Sequence, residues 1–529
     1  MKISGVFDLN SNKNEFTACD CAEISTQELT ARVLCSEPYT DPKRVAAFVT
    51  AQAGRGQLDE DGLFLAVVCY QNKLYCFADS TTSPWVLYYT RTNGQFYYAT
   101  SLKLLLKSSG IARRMNITAA KGFLKNGIVR GNQTLVENVY KLDVGELLIA
   151  GNGEVQKKQL QYAGVTHAAP SDLIPALRQS VNSYAKNQKN IYMPLSGGFD
   201  SNLILDTLTK SSHTIDAFTI GGETGKNEIP SVQKNVAPYQ NVTHHTGAAD
   251  RSLFKKLPEI IWRLDGYVFE RGIFLQYLLA QLVKENGGEM MICGECSDEH
   301  QHLLYQHEWK RLRSEPVSPL EVMDWMYQPY TWGNFVVMKK SALMLNSFGI
   351  RACYPFATKH FTDVAGALGK ENLDGKKLYK RLLKDELPAA LYDSLQQAGG
   401  STSIEAVIDD EELASMAREV NNSELIHRVT AETPDSFRAP WLDYAELYLH
   451  EKGEENAAVR KGRTKYGVKK RMEKLRLYTP QTEKPDDSLE SQMKAYYLIL
   501  FDKLFLSGDY DKEFDNDALS LETKDLRTT

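Results

Sequence analysis

The run Ser196-Gly197-Gly198-Phe199-Asp200-Ser201 has the composition of an anion site. Two glycines let the backbone approach a phosphate closely, and the free N–H groups at a helix start carry partial positive charge. Ile191–Leu195 before the run reads as a buried strand, and Asn202–Leu208 after it as a short helix. Unlike a Walker loop, this one has no lysine, and it carries Asp200 at its fifth position. An acid beside phosphates makes sense with a divalent cation between them, so the pattern reads as pyrophosphate plus Mg2+. The plain alternative is a Ser/Gly turn between a strand and a helix.

Three further groups converge on this loop. Gly221-Gly222-Glu223 with Asn227-Glu228 follows the next strand, and Gly294-Glu295-Cys296-Ser297-Asp298-Glu299 follows a later one. The third is Lys376-Lys377-Leu378-Tyr379-Lys380-Arg381, ahead of Leu387-Pro388. Asp200 and Asp298 would share Mg2+ against pyrophosphate, while Lys377 and Arg381 would balance the remaining phosphate charge. For Lys377 and Arg381 the alternative is a solvated helix face.

The elements that must position these groups change in texture along the chain. Residues 1–160 read as an antiparallel β domain with a few helices. Phe64–Tyr70, Leu74–Ala78, Trp85–Tyr89, Phe96–Thr100 and Leu147–Ala150 are its strands, with Asn-Gly hairpin signals at Asn93-Gly94 and Asn152-Gly153. A polar stretch at 163–171 ends it. From Asp172 helical runs (173–184, about 274–285) alternate with strands (214–221, 289–294), which implies a parallel sheet with ligands at its C-terminal edge. Beyond residue 300 the chain reads as mainly helical. It includes a basic segment at 460–476 and an acidic tail after Gly508. The expected organisation is residues 1–165 and 172–529 as two domains, α/β (α+β overall).

Bulk properties exclude some partners. The chain has 529 residues, 43% hydrophobic and 24% charged, with net charge −5. That gives no drive towards nucleic acid or an anionic membrane. No apolar run reaches membrane-span length, and the start lacks the apolar core of a signal peptide. The eight cysteines are scattered, and Cys293/Cys296 has redox or half-zinc spacing but no second such pair. Reduced thiols in a cytoplasmic protein are the expectation.

On these motifs the chain resembles the asparagine-synthetase-like family, which includes asparagine synthetase B, β-lactam and carbapenam synthetases and lasso-peptide cyclases. The resemblance rests on Ser196–Ser201, Phe218-Thr219-Ile220-Gly221, Val242-Thr243-His244-His245, Gly294–Glu299, Tyr354-Pro355-Phe356, and Lys377 with Arg381. The first 165 residues resemble the family's class II glutamine-amidotransferase-type domain through Asp61–Phe64, Leu87–Tyr89, Tyr98–Ser101 and Leu142–Glu146.

What the resemblance implies is an ATP pyrophosphatase. A carboxylate attacks the α-phosphate of ATP, pyrophosphate leaves, and an amine then displaces AMP to form an amide. Carried over, Ser196, Gly197, Gly198 and Ser201 cradle pyrophosphate, and Asp200 and Asp298 ligate Mg2+. Leu195, Ile220 and Gly294 contact the nucleotide, and Glu295 orients or deprotonates the amine. The implied partners are a small-molecule or peptide carboxylate and an amine, with a precursor peptide or a second copy of the chain as further ones.

Two departures modify this. Glutamine-dependent members expose a cysteine at the mature N-terminus, whereas position 2 is Lys2, and the acidic-basic signature before Leu87-Tyr88-Tyr89 is absent. Glutaminase activity is therefore expected to be lost. The family's lysine after Leu-Pro has no counterpart in 392–400, and its acid after Pro-Phe is replaced by Ala357-Thr358-Lys359. The adenylating half thus reads as intact and the acyl-transfer half as altered, with Lys359 or the 460–474 cluster as sources of the missing positive charge. Intramolecular cyclisation, intermolecular condensation, a non-catalytic nucleotide-binding scaffold and sulfur transfer through Cys296 all stay open.

Overall fold

The computed structural model describes residues 2–19, 21–35, 41–52, 57–58, 63–79, 84–129, 131–142, 146–162, 167–222, 227–297, 337–368, 376–395, 407–430 and 489–507. The fold is mixed α/β, with two antiparallel sheets followed by a parallel sheet and its helices.

The first antiparallel sheet has five strands in the order Tyr140–Lys141, Tyr88–Thr92, Gln95–Ala99, Ile3–Asp8, Lys13–Cys19. The second has six, ordered Glu154–Gln159, Glu146–Gly151, Lys73–Ala78, Phe64–Tyr70, Leu29–Cys35, Ala22–Ser25. They face each other across Ile3, Phe7, Phe96 and Tyr98 on one side and Leu65, Val67, Leu74 and Leu148 on the other. The helix Pro42–Gln52 covers the outer face of the second sheet through Val45 and Val49. Both Asn-Gly signals are tight two-residue turns. Thr92 pairs with Gln95 and Gly151 with Glu154, with all four turn residues at positive φ.

One strand lies elsewhere than its composition suggests. Trp85–Tyr89 was expected, but the strand is Tyr88–Thr92 because the Asn93-Gly94 turn fixes the register Tyr88↔Ala99. Trp85, Val86 and Leu87 are buried without alternation, which makes them apolar in composition but not part of the ladder.

The parallel sheet runs Val242–Ala249, Thr214–Gly222, Asn190–Pro194, Met290–Ile292, Arg351–Cys353. The last strand lies in the region expected to be mainly helical. At three residues it is too short to show a period, and its place comes from pairing Met290↔Arg351 through Ile292↔Cys353. Chain order reverses between Asn190–Pro194 and Met290–Ile292. That reversal opens a crevice at the C-terminal ends of these strands, where α/β sheets bind ligands.

The outer face of the first sheet and the parallel half share a continuous apolar core containing Tyr88, Leu102, Phe123, Leu177, Leu203 and Tyr497. Phe123 packs on Tyr497 with centroids 5.0 Å apart. Asp265 crosses this boundary. It accepts from Leu102 N at 3.0 Å and from Lys103 Nζ at 2.9 Å, so it caps the helix Leu102–Ser109 from the parallel half. Among the described residues, no helix is long and apolar enough to cross a membrane. The basic segment at 460–476 and the acidic tail lie outside the described residues.

Candidate active site

The loop Leu195–Gly198 joins the strand Asn190–Pro194 to the helix Phe199–Thr209, whose N-cap is Gly198 with no side-chain cap. The N–H groups of the first helical turn are thus available to an anion at this end. The loop is braced internally. Ser196 N and Oγ both lie 3.1 Å from Ser201 Oγ, and Gly198 N donates to Ser196 Oγ at 3.2 Å. Asn202, fully buried, donates Nδ2 to Ser196 O and Gly198 O at 2.8 and 2.7 Å. Gly197 N donates to Glu228 Oε2 at 3.0 Å, so an acceptor oxygen already sits on this N–H.

The sequence reading places Asp200 beside phosphate with Mg2+ between them. In the structure Lys376 Nζ lies 2.7 Å from Asp200 Oδ2 and donates to Ser297 Oγ at 3.0 Å. Ser297 Oγ in turn donates to Asp200 Oδ1 at 2.7 Å. Three segments far apart in the chain therefore meet at the first turn of the loop helix. The Lys376 side chain is 4% exposed. A carboxylate whose two oxygens attract a hydroxyl and an ammonium, each keeping a lone pair, fits a cation that takes one or two carboxylates and otherwise phosphate and water. No group of three or more His, Cys, Asp or Glu forms a metal cage among the described residues. Asp298, the expected second ligand, lies outside them.

Lys377 and Arg381 are exposed on the helix Lys377–Glu386. The buried basic group is their neighbour Lys376, at the N-cap of that helix with φ 58°. Sequence spacing favoured the i, i+4 pair because it marks a helix face. The available signal for Lys376 was the tandem lysine itself, which can direct one side chain in and one out.

Gly294 lies against the loop helix. A Cβ there would come within 3.6 Å of Ser201 N and 3.8 Å of Ile204 Cδ1, which is ordinary contact. Cys296 is buried with φ 72°, a left-handed conformation uncommon for a residue bearing a side chain. Glu295 Oε2 is buried with no hydrogen-bond partner among the described residues. Burial raises the Glu295 carboxyl above the usual carboxylate range, and a backbone hydrogen bond, the Lys340 ammonium and the Cys293 thiol only partly offset this.

Leu195 and Ile220 flank the other side. Leu195 N donates to Phe218 O at 2.8 Å, the last bond between the first two strands. Groups two apart on a strand face the same edge, so Ile220 presents its N–H and C=O past the point where the first strand has turned away. Those backbone groups suit the edge of a base. Thr219 Oγ1 donates to Leu195 O at 2.7 Å and therefore accepts from His244 Nε2 at 2.8 Å. Burial, with His245 adding to it, holds the His244 imidazole below its ordinary value, which favours the neutral ring.

Lys359, an expected source of the missing positive charge, is ion-paired with Asp363 on its own helix. Asp79 accepts from Phe64 N at 2.9 Å and thereby ties the end of the strand Lys73–Ala78 to the start of Phe64–Tyr70.

Residues 172–334 match the family described as asparagine synthase. Over these residues the chain is similar to the asparagine-synthetase-like family. Over 221 residues the chain is 23% identical to asparagine synthetase [glutamine-hydrolyzing] 1 of Bacillus subtilis, covering 40% of this chain and 35% of that protein. Over 222 residues it is 22% identical to the microcin J25-processing protein McjC of Escherichia coli, covering 40% of this chain and 43% of that one. The matched region thus spans well under half the length of either relative. Among solved structures, the U34-tRNA thiolase NcsA of Methanococcus maripaludis is 14% identical, at a TM-score of 0.22 over 42% of this chain and 75% of that one. The glutamine phosphoribosylpyrophosphate amidotransferase of B. subtilis is 5% identical, at a TM-score of 0.20 over 47% and 76%. The two-glycine loop, the switch-point crevice and Glu295 lie within the matched residues.

Proposed function

We propose that this protein adenylates a substrate carboxylate with ATP and transfers the acyl group to an amine, releasing pyrophosphate and then AMP, without hydrolysing glutamine. The observation that carries the reading is the Asp200–Ser297–Lys376 cluster at the mouth of the two-glycine loop. Acid, hydroxyl and buried ammonium stand together where a helix start offers free N–H groups.

In the first step a carboxylate oxygen bonds to the α-phosphorus as the bridge to the β-phosphate breaks. Ser196, Gly197, Gly198 and Ser201 hold the departing pyrophosphate, and Lys376 offsets its charge. Mg2+, held by Asp200 with Asp298, would neutralise the remaining phosphate charge. In the second step the amine nitrogen bonds to the carbonyl carbon and AMP leaves. Glu295 accepts the amine proton, a role helped by a carboxyl raised above its ordinary range.

Independence from glutamine is supported by Asp79 being used between two strands and by the missing signature around it. The likeness to a microcin-processing protein supports a peptide as the carboxylate or amine partner. The same chemistry on one molecule would close a ring, and on two would condense them.

The test is isotopic. With a carboxylate labelled in both oxygens with 18O, adenylation followed by transfer moves one labelled oxygen into AMP. A panel of aspartate, glutamate and short peptides, with ammonium and glycinamide as amines, supplies the probes. Labelled AMP with any of them supports the reading. Formation of ADP with labelled phosphate points to an acyl-phosphate route and overturns it.

A further inference from the structure

A phosphate loop works best when its free N–H groups are aimed before the phosphate arrives. In this loop the first donors are used within the protein. Ser196 N donates to Ser201 Oγ at 3.1 Å, and Gly198 N to Ser196 Oγ at 3.2 Å. The N–H groups of Phe199, Asp200 and Ser201 come next, in the first turn of a helix with no side-chain cap, where no intrahelical acceptor reaches them. Gly197 N is held from outside the loop. It donates to Glu228 Oε2 at 3.0 Å, 31 residues along the chain.

Glu228 is itself firmly anchored. It precedes the helix Ile229–Val236, and Val232 N donates to its carbonyl oxygen at 2.9 Å. Asn227 Oδ1 accepts from Ile229 N at 3.1 Å, which fixes the turn into that helix. The turn sits directly on the end of the strand Thr214–Gly222. A Cβ at Gly221 would lie 2.7 Å from Ile229 Cδ1 and 3.1 Å from Asn227 Oδ1, so glycine is what admits the turn there. Farther along the helix, Asn235 is buried and its Oδ1 accepts from Ser394 Oγ at 2.8 Å. The Glu228 carboxylate therefore reaches from the end of Thr214–Gly222 to the loop after Asn190–Pro194. Phe218 O and Thr219 Oγ1 already bond to Leu195, and Glu228 makes the same connection two residues farther on.

We propose that Glu228 is a positioning residue of the pyrophosphate site, its side chain fixing Gly197 so that the N–H groups of the following helical turn face the phosphates. The ligand in this statement rests on the proposed adenylation. Gly197 then serves the cradle by its position, its own N–H being taken by Glu228. Reach matters more than charge in this role. A neutral acceptor of equal length makes the same bond, roughly half as strong, whereas a negative charge near phosphate is by itself unfavourable.

The test uses the full-length protein, with Mg-pyrophosphate and Mg-ATP as titrants in calorimetry and pyrophosphate–ATP exchange over the aspartate, glutamate and peptide panel. Glu228→Ala is expected to weaken binding of both titrants about tenfold, as for loss of one bond to a charged group. In exchange the KM for pyrophosphate should rise by the same factor, with the KM for the carboxylate unchanged. Glu228→Gln keeps the reach without the charge and should stay within about threefold of wild type. Glu228→Asp keeps the charge but is one methylene short, and should behave like the alanine variant. A merely structural role would lower unfolding temperature without ranking the variants in this order. If Glu228→Ala does not fold, the contrast between Gln and Asp decides.

Tighter pyrophosphate binding in Glu228→Ala would make Glu228 a competitor for the phosphate position and overturn the inference. Unchanged binding in that variant, or an aspartate variant that binds better than the glutamine one, overturns it as well, and each of these leaves adenylation standing. Wild-type protein that binds neither Mg-pyrophosphate nor Mg-ATP overturns the parent reading and this inference together.

Discussion

Lys376 and Asp200 are 176 residues apart in sequence, and their side chains meet at 2.7 Å at the mouth of the two-glycine loop. Asp200 is set by the helix Phe199–Thr209, and Lys376 by an N-cap in left-handed conformation that turns its side chain back under the following helix. The pairing supplies a buried positive charge that the loop itself lacks, which on the proposed reading would make an acid tolerable beside pyrophosphate.

Removing that charge should weaken adenylation rather than folding. Lys376→Met is expected to lower carboxylate-dependent exchange about 100-fold, as for loss of one preorganised transition-state donor. Lys377→Met, on the exposed side, should change it by less than about threefold. Equal effects of the two variants in exchange assays would contradict the assignment of Lys376.

Gly294 tests how closely the later loop must lie on the phosphate helix. Its missing Cβ has ordinary contact room, so Gly294→Ala should keep nucleotide affinity within about threefold. Gly294→Val adds γ-methyls against the Ser201 backbone and should weaken ATP binding roughly tenfold or more. Calorimetric titration of both variants with ATP checks the contrast.

Cys296 is held in left-handed backbone, which a β-branched residue resists strongly. Cys296→Val should destabilise the fold by about 2 kcal/mol, read by denaturant unfolding. Cys296→Ser should keep both half-reactions near wild type. Loss of turnover in a folded serine variant would revive sulfur transfer.

Lys339, which donates to Trp85 O in the amidotransferase-type half, gives a pH signature of the join between the two halves. Burial pushes its ammonium from 10.5 down to about 7, with Lys141 adding to the shift and Asp79 opposing it. Between those values the unfolded chain binds one proton more than the folded one, so stability rises with pH across that window. The penalty is fully present below about 7 and gone above about 10.5. Any advantage of Lys339→Met over wild type should therefore shrink from pH 7 to pH 10, by up to ~1.4 kcal/mol per unit. A difference in unfolding free energy that stays flat across this range would contradict it.

Asp265 is the cap that the parallel half lends to the helix Leu102–Ser109. Asp265→Ala removes that acceptor and leaves Lys103 without its carboxylate, so a loss of about 2 kcal/mol is expected in denaturant unfolding. A loss under about 0.5 kcal/mol would mean the cap is dispensable.

Much of this architecture is legible in sequence because it is written in local signals. The Asn93-Gly94 and Asn152-Gly153 turns need positive φ that few residues accept, and Ser196–Ser201 carries its chemistry within six positions. Other parts are set by distant partners. The strand Arg351–Cys353 is too short to show a period and exists through pairing with Met290–Ile292. Lys376 looks like its neighbour Lys377 until the fold buries one and exposes the other. Asn227-Glu228 is legible as a group near the loop, and only the fold sets Glu228 on Gly197 N.

The central claim is tested most directly by exchange of labelled pyrophosphate into ATP, with wild type and Asp200→Ala compared across the carboxylate panel. The account predicts exchange that depends on one carboxylate class and disappears in the variant while the fold persists. Exchange that survives in Asp200→Ala, or an ATP-binding wild type that cleaves ATP to ADP with that carboxylate, would contradict it.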